Sequence, residues 1–422
     1  MSERCTVSPI LPTILLAAII IFICGDGMIY KASIRTVSIN ENKNSNSTIT
    51  CITQEPLKSS PENREEDDDS GTFDSLIVPF NLSGKKARID WFRKHLPDFR
   101  ILQSNNFTQQ FHNRLQEFLS HDCETQFFMT WISPTRTFRR RELLAAESIF
   151  KSHPRGCLTI LSRTLDSERG YKILQPLLDR GFKILAITPD LPSLFKNTPV
   201  ETWFDEMKRG KKDPGQIPLA QNLSNLMRLA VLYKYGGVYI DTDFIVLKSF
   251  MGLKNCIGAQ SIDPVSKNWT RLNNAVLVFD KKHPLLEKFM ENFASNFDGS
   301  RWGYNGPFLV SRVIAKVTGA GDRPGFNVTI LPPAAFYPVD WTKIGELFKK
   351  PGNRASANWA KAMLSQLNDK AYGIHLWNKQ SKSYTIQKGS VIEKLVSDHC
   401  NEKDRDIERS NRKRNCRSGR HY

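Results

Sequence analysis

The chain contains 422 residues, of which 40% are hydrophobic, and this proportion is typical of a folded globular protein and excludes a wholly disordered one. Its formal net charge of +17 is strongly basic, as is common in nucleic-acid-binding proteins. Because no aromatic-interleaved basic stripe, zinc-finger spacing or RNP-like motif accompanies this charge, we expect no nucleic-acid partner. A basic surface equally suits a nucleotide diphosphate, anionic lipids or acidic glycans.

The N-terminal segment predicts a membrane anchor. Residues 7–24 carry no charged side chain, and as a helix they span about 27 Å at a rise of about 1.5 Å per residue, which suits a thin early-secretory bilayer. A cleaved signal peptide is the alternative, although the Ile-Cys-Gly that follows is a poor cleavage site. We therefore divide the chain into a cytosolic stub at 1–6, a signal-anchor transmembrane helix at 7–24, a disordered stem at 25–75, a folded lumenal domain at 76–400 and a basic tail at 401–422.

Asparagine sequons of the N-x-S/T type favour a lumenal location for the folded domain. The charges that flank the anchor do not set its orientation, since Arg4 on one side faces Lys31 and Arg35 on the other. The sequons indicate a single-pass type II membrane protein with glycosylation at Asn46, Asn81, Asn106, Asn268 and Asn327. A further sequon at Asn222 opens a predicted helix beside the site described below, so we expect little or no glycosylation there.

After the stem, short apolar strands alternate with helical patterns, and this order predicts an α/β fold with a largely parallel sheet. Strands are predicted at 127–131, 158–162 and 183–188, with helices at 141–152 and through 174–178. Cys123 and Cys157 each precede one of the first two strands by a few residues. A disulfide between them is geometrically feasible if those strands are neighbours, and two separate thiols are the alternative.

The stretch from 223 to 240 predicts a helix, a turn and a short strand in close succession. Apolar residues recur at helical spacing, with Ser224 as the N-cap. Gly236 and Gly237 end the helix, because glycine adopts the left-handed turn conformation without steric cost. Residues 238–240 then form the strand.

Asp241 and Asp243 follow this strand. In an extended chain, residues i and i+2 point to one face, so we expect both carboxylates to aim at one spot. Such oxygen ligands suit Mn²⁺ or Mg²⁺, with diphosphate oxygens in the remaining positions. A solvated turn is the simplest alternative. A calcium-binding EF-hand would need a glycine and an acid where Val246 and Gly252 stand, and a phosphatase-type nucleophile would need Thr or Val at Ile245.

The segment resembles the DxD region of the α-1,4-glycosyltransferase family, especially its plant members. The likeness extends from Thr130 and Trp131 through YGGVYIDTD, RLNNAVLVFDKKHPLL, WGYNGPFLVSRV and ILPPAAFYPVDW to GIHLWN. It implies a Rossmann-like glycosyltransferase-A fold with flanking helices, a UDP-sugar donor, a divalent metal and retention of anomeric configuration. The expected enzyme is a Golgi-membrane hexosyltransferase that moves galactose or N-acetylglucosamine to a glycan or glycolipid acceptor in an α-1,4 linkage. An inactive lumenal scaffold of the same fold is the alternative, because Asn225 stands where many related enzymes have Asp.

Position within the predicted elements assigns several further residues. Thr130 and Trp131 end the first strand, at the usual nucleotide-binding edge of an open α/β sheet. Arg228 lies on the helix that leads to the aspartates, where it can orient an Asp or a phosphate by paired hydrogen bonds. Core packing of Trp131 and a surface position for Arg228 are the alternatives. The donor side thus comprises Thr130, Trp131, Asn225, Arg228 and Asp241.

The resemblance adds the remaining assignments. His375 becomes a third metal ligand beside Asp241 and Asp243. Asn274, which precedes a predicted strand at 275–279, lies near the transferred sugar, where it acts with Asp243 in catalysis. A buried, hydrogen-bonded histidine and an ordinary turn asparagine are the alternatives. The acceptor side comprises aromatic and amide side chains of a Gly-rich loop and of the GIHLWN segment, namely Trp302, Tyr304, Asn305 and Trp377.

No spacing selects a catalytic nucleophile. Carboxylates are available at Asp263, Asp280 and Asp298, but nothing in the sequence places one of them at the anomeric carbon. We therefore expect same-face transfer, in which the departing diphosphate helps to deprotonate the acceptor hydroxyl, and not a covalent glycosyl-enzyme.

Overall fold

A computed structural model of the chain describes residues 77–120, 122–319 and 326–398. The predicted anchor at 7–24, the stem at 25–75 and the tail at 401–422 lie outside the described residues. Within the described ranges, no helix combines the length and the apolar character that crossing a bilayer requires.

The core of the fold is a seven-stranded, mostly parallel sheet in the order β3-β2-β1-β4-β7-β6-β8. Only β7 runs against its neighbours, since β4 and β6 each pair with it in antiparallel fashion and the other pairings are parallel. A small second sheet pairs β5 with β9. The strands β1 to β9 are Gln126–Thr130, Cys157–Leu161, Lys183–Ile187, Gly237–Ile240, Phe244–Val246, Cys256–Ile262, Trp269–Phe279, Thr329–Leu331 and Gly373–His375. The predicted largely parallel α/β sheet is confirmed.

Helices cover both faces of the sheet. In chain order, α1 to α13 are Lys85–His95, Asn106–Ser120, Arg140–Ser152, Glu168–Leu178, Leu191–Phe195, Glu201–Lys208, Leu219–Tyr235, Pro284–Asn296, Pro307–Thr318, Pro333–Phe336, Arg354–Lys370, Asn378–Ser381 and Val391–Asp398. Short 3-10 helices occur at Leu96–Asp98, Arg100–Leu102, Thr135–Thr137 and Ile344–Phe348.

Alternation along the strands divides the core into two layers. In β1, Phe128 packs with the helices α1, α2 and α5 to α9 on one face of the sheet. Phe127 and Met129 pack with α3, α4, α11 and α13 on the other face. Because both faces are covered, these strands are continuous apolar runs without the polar alternation of a half-exposed sheet.

A disulfide ties the start of β2 to the segment before β1. Cys123 and Cys157 are bonded, with their Cα atoms 5.5 Å apart and a sequence separation of 34. The two strands are parallel neighbours, with Gln126 opposite Cys157, as the predicted pairing requires. Closing a loop of this length stabilises a fold by roughly 3 to 4 kcal/mol in the chain-entropy account.

The boundaries of two predicted elements were wrong. Helix α7 begins at Leu219 with Pro218 as its N-cap, because apolar positions upstream of Ser224 are also buried. Ser224 therefore lies within the helix, and its hydroxyl bonds the Thr130 hydroxyl at 2.6 Å. Asn274, predicted to precede a strand, lies inside the long strand β7.

The glycine pair ends α7 as predicted. Gly236 is the C-cap with φ +71°, and Gly237 follows with φ +103°. A Cβ on Gly237 would lie 2.6 Å from the Gln126 carbonyl oxygen. Glycine is thus required both by the backbone conformation and by the close approach of the first residue of β1.

Candidate active site

The site lies where the order of strands reverses. From β1 the chain proceeds to β2 and β3 on one side, and β4 pairs on the other side of β1. Thr130 ends β1, and Asp241 follows the last residue of β4. The carboxyl ends of strands beside such a switch point form the ligand-binding crevice of open α/β sheets.

The two aspartates converge through a turn, so their prediction as an extended pair was wrong in conformation. The Phe244 N–H donates to the Asp241 carbonyl at 3.0 Å, which closes a turn over residues 241–244. The turn leads into β5, where Phe244 pairs with His375 of β9. Nonlocal strand pairing therefore brings the histidine to the aspartates.

Asp241, Asp243 and His375 together offer ligand atoms that all lie within 4.8 Å of one another. His375 Nε2 is 3.2 Å from Asp243 Oδ1 and 4.0 Å from Asp241 Oδ2. Asp243 and His375 are buried, whereas Asp241 is partly exposed. Two carboxylates and one imidazole are a donor set that fits Mn²⁺ or Mg²⁺, and the exposed side leaves room for oxygen atoms of a substrate.

The electrostatics of the buried pair favour its charged form. Burial by itself disfavours both ions, but the charge of His375 holds the pKa of Asp243 below its ordinary value. Burial likewise opposes the imidazolium, yet the two aspartates raise the pKa of His375 above its ordinary value. Because a metal ligand must be unprotonated, a divalent cation and the His375 proton compete for the same place.

The His375 ring is oriented by packing. Its Nδ1 is buried without a hydrogen-bond partner among the described residues. The ring lies edge-on to Trp377, with centroids 4.3 Å apart, and to Tyr337, at 5.9 Å. The Trp377 indole N–H donates to the Val339 carbonyl at 2.9 Å, which fixes the wall beside the histidine.

Asp241 is held by a buried cation and a buried phenol. Arg228 Nη1 lies 3.0 Å from Asp241 Oδ1, and the Tyr239 hydroxyl donates to the same oxygen at 2.8 Å. Arg228 is 3% exposed and also donates to the Asn274 carbonyl at 2.8 Å. Its pKa is raised: burial opposes the charge, but the nearby Asp241 outweighs that effect. Arg228 thus orients an aspartate, one of the two roles predicted for it.

Asp243 is held by the segment that follows β9. The Asn378 N–H donates to Asp243 Oδ2 at 2.7 Å, and the Leu376 N–H donates to the Asp243 carbonyl at 2.8 Å. Between them, Trp377 adopts a left-handed conformation with φ +53°. This conformation is unfavourable for a bulky side chain, and such strain persists where surrounding contacts enforce it.

Sequence reasoning missed the residues behind the aspartates. Tyr239 links Asp241 to the Thr130 hydroxyl, which lies 2.8 Å from the phenol oxygen. Glu142 caps α3, and its Oε1 is 3.5 Å from Asn378 Nδ2. Burial, together with the neighbouring Asp243 charge, raises the pKa of Glu142. Of these supporting residues, only Tyr239 has a local sequence signal, since it stands two residues before Asp241.

The predicted donor residues Thr130 and Trp131 occupy different surroundings. Thr130 is buried in the hydroxyl network with Ser224 and Tyr239. Trp131 lies edge-on to Phe138, with centroids 5.0 Å apart. It also lines a small cavity of about 10 Å³ at the carboxyl ends of β1 and β2, together with Ile101, Ile132, Leu161, Ser162, Arg163, Thr164, Pro189 and Met227.

Asn225 and Asn274 form a buried pair. The Asn274 amide donates to Asn225 Oδ1 at 2.9 Å, and the Asn225 amide donates to the Gln221 carbonyl at 3.2 Å. Gly306 lies directly against them, since a Cβ there would be 2.7 Å from Asn225 Oδ1. The loop before α9 is thereby seated on the asparagine pair.

The four predicted acceptor residues are not equivalent. Trp302 is 53% exposed, and Tyr304 and Trp377 are half-buried. Asn305 is 2% exposed, and its amide donates to Asn222 Oδ1 at 2.9 Å and to the Asp298 carbonyl at 2.8 Å. Asn305 therefore lies beneath the loop and supports it, which corrects its prediction as an acceptor contact.

The three carboxylates considered as nucleophiles lie in other contacts. Asp263 accepts hydrogen bonds from Ser266 in the turn between β6 and β7. Asp280, after β7, accepts from Asn255 at 2.9 Å. The Asp298 carboxylate accepts from the Ser300 N–H at 2.9 Å. No contact brings any of them to the aspartate pair within the described part of the chain.

Comparisons with known proteins match this arrangement. Residues 139–263 match the family described as the glycosyltransferase sugar-binding region containing the DXD motif. Residues 278–403 match the α-1,4-glycosyltransferase conserved region. Together these regions contain all three residues of the Asp-Asp-His cluster.

Individual relatives agree with the family matches. The chain is 32% identical to lactosylceramide 4-alpha-galactosyltransferase of Mus musculus, over 61% of this chain and 69% of that protein. It is 26% identical to alpha-1,4-N-acetylglucosaminyltransferase of Homo sapiens, over 52% of this chain and 60% of that protein. Among solved structures it is similar to the PaToxG glycosyltransferase, with a TM-score of 0.35 and 19% identity over 56% of this chain and 82% of the other. The chain belongs to the α-1,4-glycosyltransferase family.

Proposed function

We propose that the chain is a retaining hexosyltransferase that uses a UDP-sugar and a divalent cation, Mn²⁺ or Mg²⁺. It transfers galactose or N-acetylglucosamine to a hydroxyl of a glycan or glycolipid acceptor and forms an α-1,4 linkage. The observation that carries this proposal is the convergence of Asp241, Asp243 and His375 at the carboxyl end of β4, where Asp241 is partly exposed. One relative named above is a galactosyltransferase and the other an N-acetylglucosaminyltransferase, so the proposal includes both sugars as donors.

In this proposal Asp241, Asp243 and His375 hold the cation. When bound there, a divalent cation supplies a Lewis acid that neutralises the charge of the departing diphosphate. Arg228 and Tyr239 fix the Asp241 carboxylate from behind, and the Asn378 N–H fixes Asp243. The ligands are thus oriented before substrate binds, and pre-organised electrostatics of this kind reduce the reorganisation cost of the reaction.

The lining of the small cavity at Trp131 and Met227 is the proposed place for the nucleoside, and these side chains would have to move apart to admit it. It is mainly apolar, with polar groups from Ser162, Arg163 and Thr164 at its wall. A flat aromatic base with a few hydrogen-bonding groups suits such a lining. The diphosphate would then extend past Thr130 toward the Asp241 side chain.

The transfer breaks the bond between the anomeric carbon and a diphosphate oxygen and forms a bond between that carbon and the acceptor oxygen on the same face. The acceptor proton passes to the departing diphosphate. Asn274 is proposed to bind hydroxyls of the transferred sugar. Because Asn274 is 3% exposed and its amide donates to Asn225 Oδ1, this contact would require the loop at Gly306 to move aside. The positions of Asp263, Asp280 and Asp298 away from the aspartate pair favour this route over a covalent intermediate.

We also propose a lumenal location in the Golgi, with residues 7–24 as the anchor of a type II membrane protein. The disulfide between Cys123 and Cys157 supports an oxidising compartment. The described sequons predicted to be used, at Asn81, Asn106, Asn268 and Asn327, are all exposed, whereas Asn222 is 3% exposed; Asn46 lies outside the described residues.

Single Asn→Gln variants expressed in a eukaryotic cell test this location. Each variant at an exposed sequon should migrate faster than the wild type by the mass of one glycan, and this difference should disappear after glycan removal. The Asn222→Gln variant should migrate like the wild type. A wild-type chain that carries no glycan at all would contradict the proposal.

Release of UDP tests the function. The purified protein is incubated with UDP-galactose and UDP-N-acetylglucosamine, in Mn²⁺ and in EDTA, without acceptor. We expect slow, cation-dependent hydrolysis of one donor, at least tenfold above the EDTA control. An inactive scaffold of the same fold would release no UDP from either donor.

A further inference from the structure

The loop that closes one side of the candidate active site carries exposed aromatic rings and cations. This loop contains residues 301–306, between α8 and α9, and Phe308 lies next to it in the first turn of α9. Two exposed cations from other segments lie against these residues, Arg271 of β7 and Lys379 of α12, and the partly buried Arg312 of α9 lies over the Tyr304 ring. We refer to the resulting surface as the aromatic–cationic rim, which consists of Arg271, Arg301, Trp302, Tyr304, Phe308 and Lys379.

Each cation of the rim lies over an aromatic ring. Lys379 Nζ is 3.6 Å from the centre of the Trp302 ring. The Arg301 guanidinium is 4.7 Å from the centre of the Tyr304 ring, and that of Arg271 is 4.5 Å from the centre of the Phe308 ring. These contacts hold the long side chains in place, but they leave the positive charge uncompensated.

The rim lacks carboxylate partners within the described ranges. Arg271, Arg301 and Lys379 are exposed, and none of them forms a salt bridge with a described acidic residue. Elsewhere on the surface, exposed cations do pair with acids, as Lys172 does with Glu168 at 2.7 Å. Concentrated positive charge therefore faces solvent beside aromatic surface.

The rim is anchored to the candidate active site at both of its ends. At one end, Asn305 binds Asn222 beneath the loop, and Gly306 lies against the Asn225 side chain. At the other end, Lys379 directly follows Asn378, whose N–H donates to Asp243. A molecule bound to the rim would therefore lie next to the aspartates.

We propose that the rim binds the acceptor and that this acceptor carries a carboxylate, as a uronic-acid unit at or next to the sugar that is extended. This inference rests on the proposed transferase function and specifies its substrate class. Guanidinium groups bind carboxylates through paired, charge-assisted hydrogen bonds. The apolar face of a pyranose ring packs on an exposed aromatic ring, such as that of Trp302, which is 53% exposed.

An acidic glycan fits the rim better than an anionic lipid surface. Asn268, an exposed predicted glycosylation site, lies in the turn between β6 and β7, on the same hairpin as Arg271. A glycan at that turn would hold the hairpin away from a bilayer. The alternation of cations with flat rings also matches single sugar units more closely than a continuous layer of headgroups.

The test compares two acceptor probes that differ only in the carboxylate. Binding of an oligosaccharide ending in glucuronic acid, and of its counterpart ending in glucose, is measured by titration calorimetry on the purified full chain with UDP and Mn²⁺. We expect the acidic probe to bind at least tenfold more tightly. The double variant Arg271→Gln, Arg301→Gln should reduce this preference below about threefold, with an unfolding temperature close to that of the wild type.

A matched control changes two exposed arginines outside the rim, Arg209→Gln with Arg354→Gln, and should retain the full preference. Equal binding of the two probes by the wild type, in a preparation that does release UDP, would overturn the acidic acceptor and leave the transferase proposal standing. Failure of the wild type to release UDP would instead overturn the transferase proposal. Binding to phosphatidylserine vesicles in place of the acidic probe, lost in the rim variant, would replace the acidic glycan by a membrane surface.

Discussion

The Arg228→Met substitution tests whether a buried cation holds the metal-binding carboxylates together. Methionine has a similar length, but it removes the charge that lies 3.0 Å from Asp241 and the hydrogen bond to the Asn274 carbonyl. Asp241 then faces Asp243 with only His375 to compensate. The folded protein without a cation should therefore be less stable than the wild type.

The expected loss of unfolding free energy follows from the burial of Arg228 and Asp241. Breaking a fully buried ion pair costs about 3 to 5 kcal/mol, but the Asp241 side chain is 27% exposed, and solvent screens part of the interaction. We expect a loss of about 2 to 3 kcal/mol, which for a domain of this size lowers the unfolding temperature by roughly 5 °C.

The measurement is thermal unfolding in EDTA, followed by circular dichroism. Arg209→Met, at an exposed arginine, is the matched control and should change the free energy of unfolding by less than about 0.5 kcal/mol. Equal stability of Arg228→Met and the wild type would show that the arginine does not hold Asp241 in place.

Three further substitutions probe separate features of the fold. Cys157→Ser opens the disulfide and should cost roughly 3 to 4 kcal/mol of unfolding free energy, an effect that a reducing agent should reproduce in the wild type but not in the variant. Burial lowers the pKa of His153 from 6.5 to about 4, so between these pH values the unfolded chain binds more protons than the folded one. The free energy of unfolding should therefore fall by up to roughly 3 kcal/mol as the pH falls from about 6.5 to about 4. His153→Gln, which can still accept the Phe250 N–H, should show a shallower acid dependence in urea titrations, and an unchanged slope would contradict this role. Gly306→Ala places a Cβ 2.7 Å from Asn225 Oδ1. It should lower the rate of transfer to the acceptor at least tenfold, with an affinity for UDP within threefold of the wild type. Wild-type kinetics would show that the loop does not pack on the asparagine pair.

The elements nearest the aspartates could be predicted because their signals are local. A helix, two glycines, a buried strand and two acids occur within one short stretch, and both glycines adopt positive φ. The parallel sheet followed from the alternation of apolar strands with helices. The Cys123 and Cys157 pairing required only that β1 and β2 be neighbours, as they are.

The features that sequence reasoning missed depend on nonlocal contacts. The resemblance assigned His375 as a ligand, but the antiparallel pairing of β5 with β9 that places it opposite Phe244 was not predicted, because no spacing within either segment reveals that pairing. Asn378 acts through its backbone N–H, so its side-chain type carries no signal. Asn305 resembled an exposed loop residue, yet the tertiary contact with Asn222 buries it. The predicted start of α7 was wrong because serine is a common N-cap residue, whereas the Ser224 hydroxyl forms a hydrogen bond with the Thr130 hydroxyl.

The most direct test of the account is the affinity for UDP as a function of the cation. Titration of UDP into the wild-type protein should give at least tenfold tighter binding in Mn²⁺ than in EDTA. The Asp241→Asn, Asp243→Asn double variant should bind UDP weakly and equally in both buffers. If the wild type binds UDP with the same affinity in EDTA as in Mn²⁺, or the double variant retains the cation dependence, then these side chains do not hold a metal against the nucleotide.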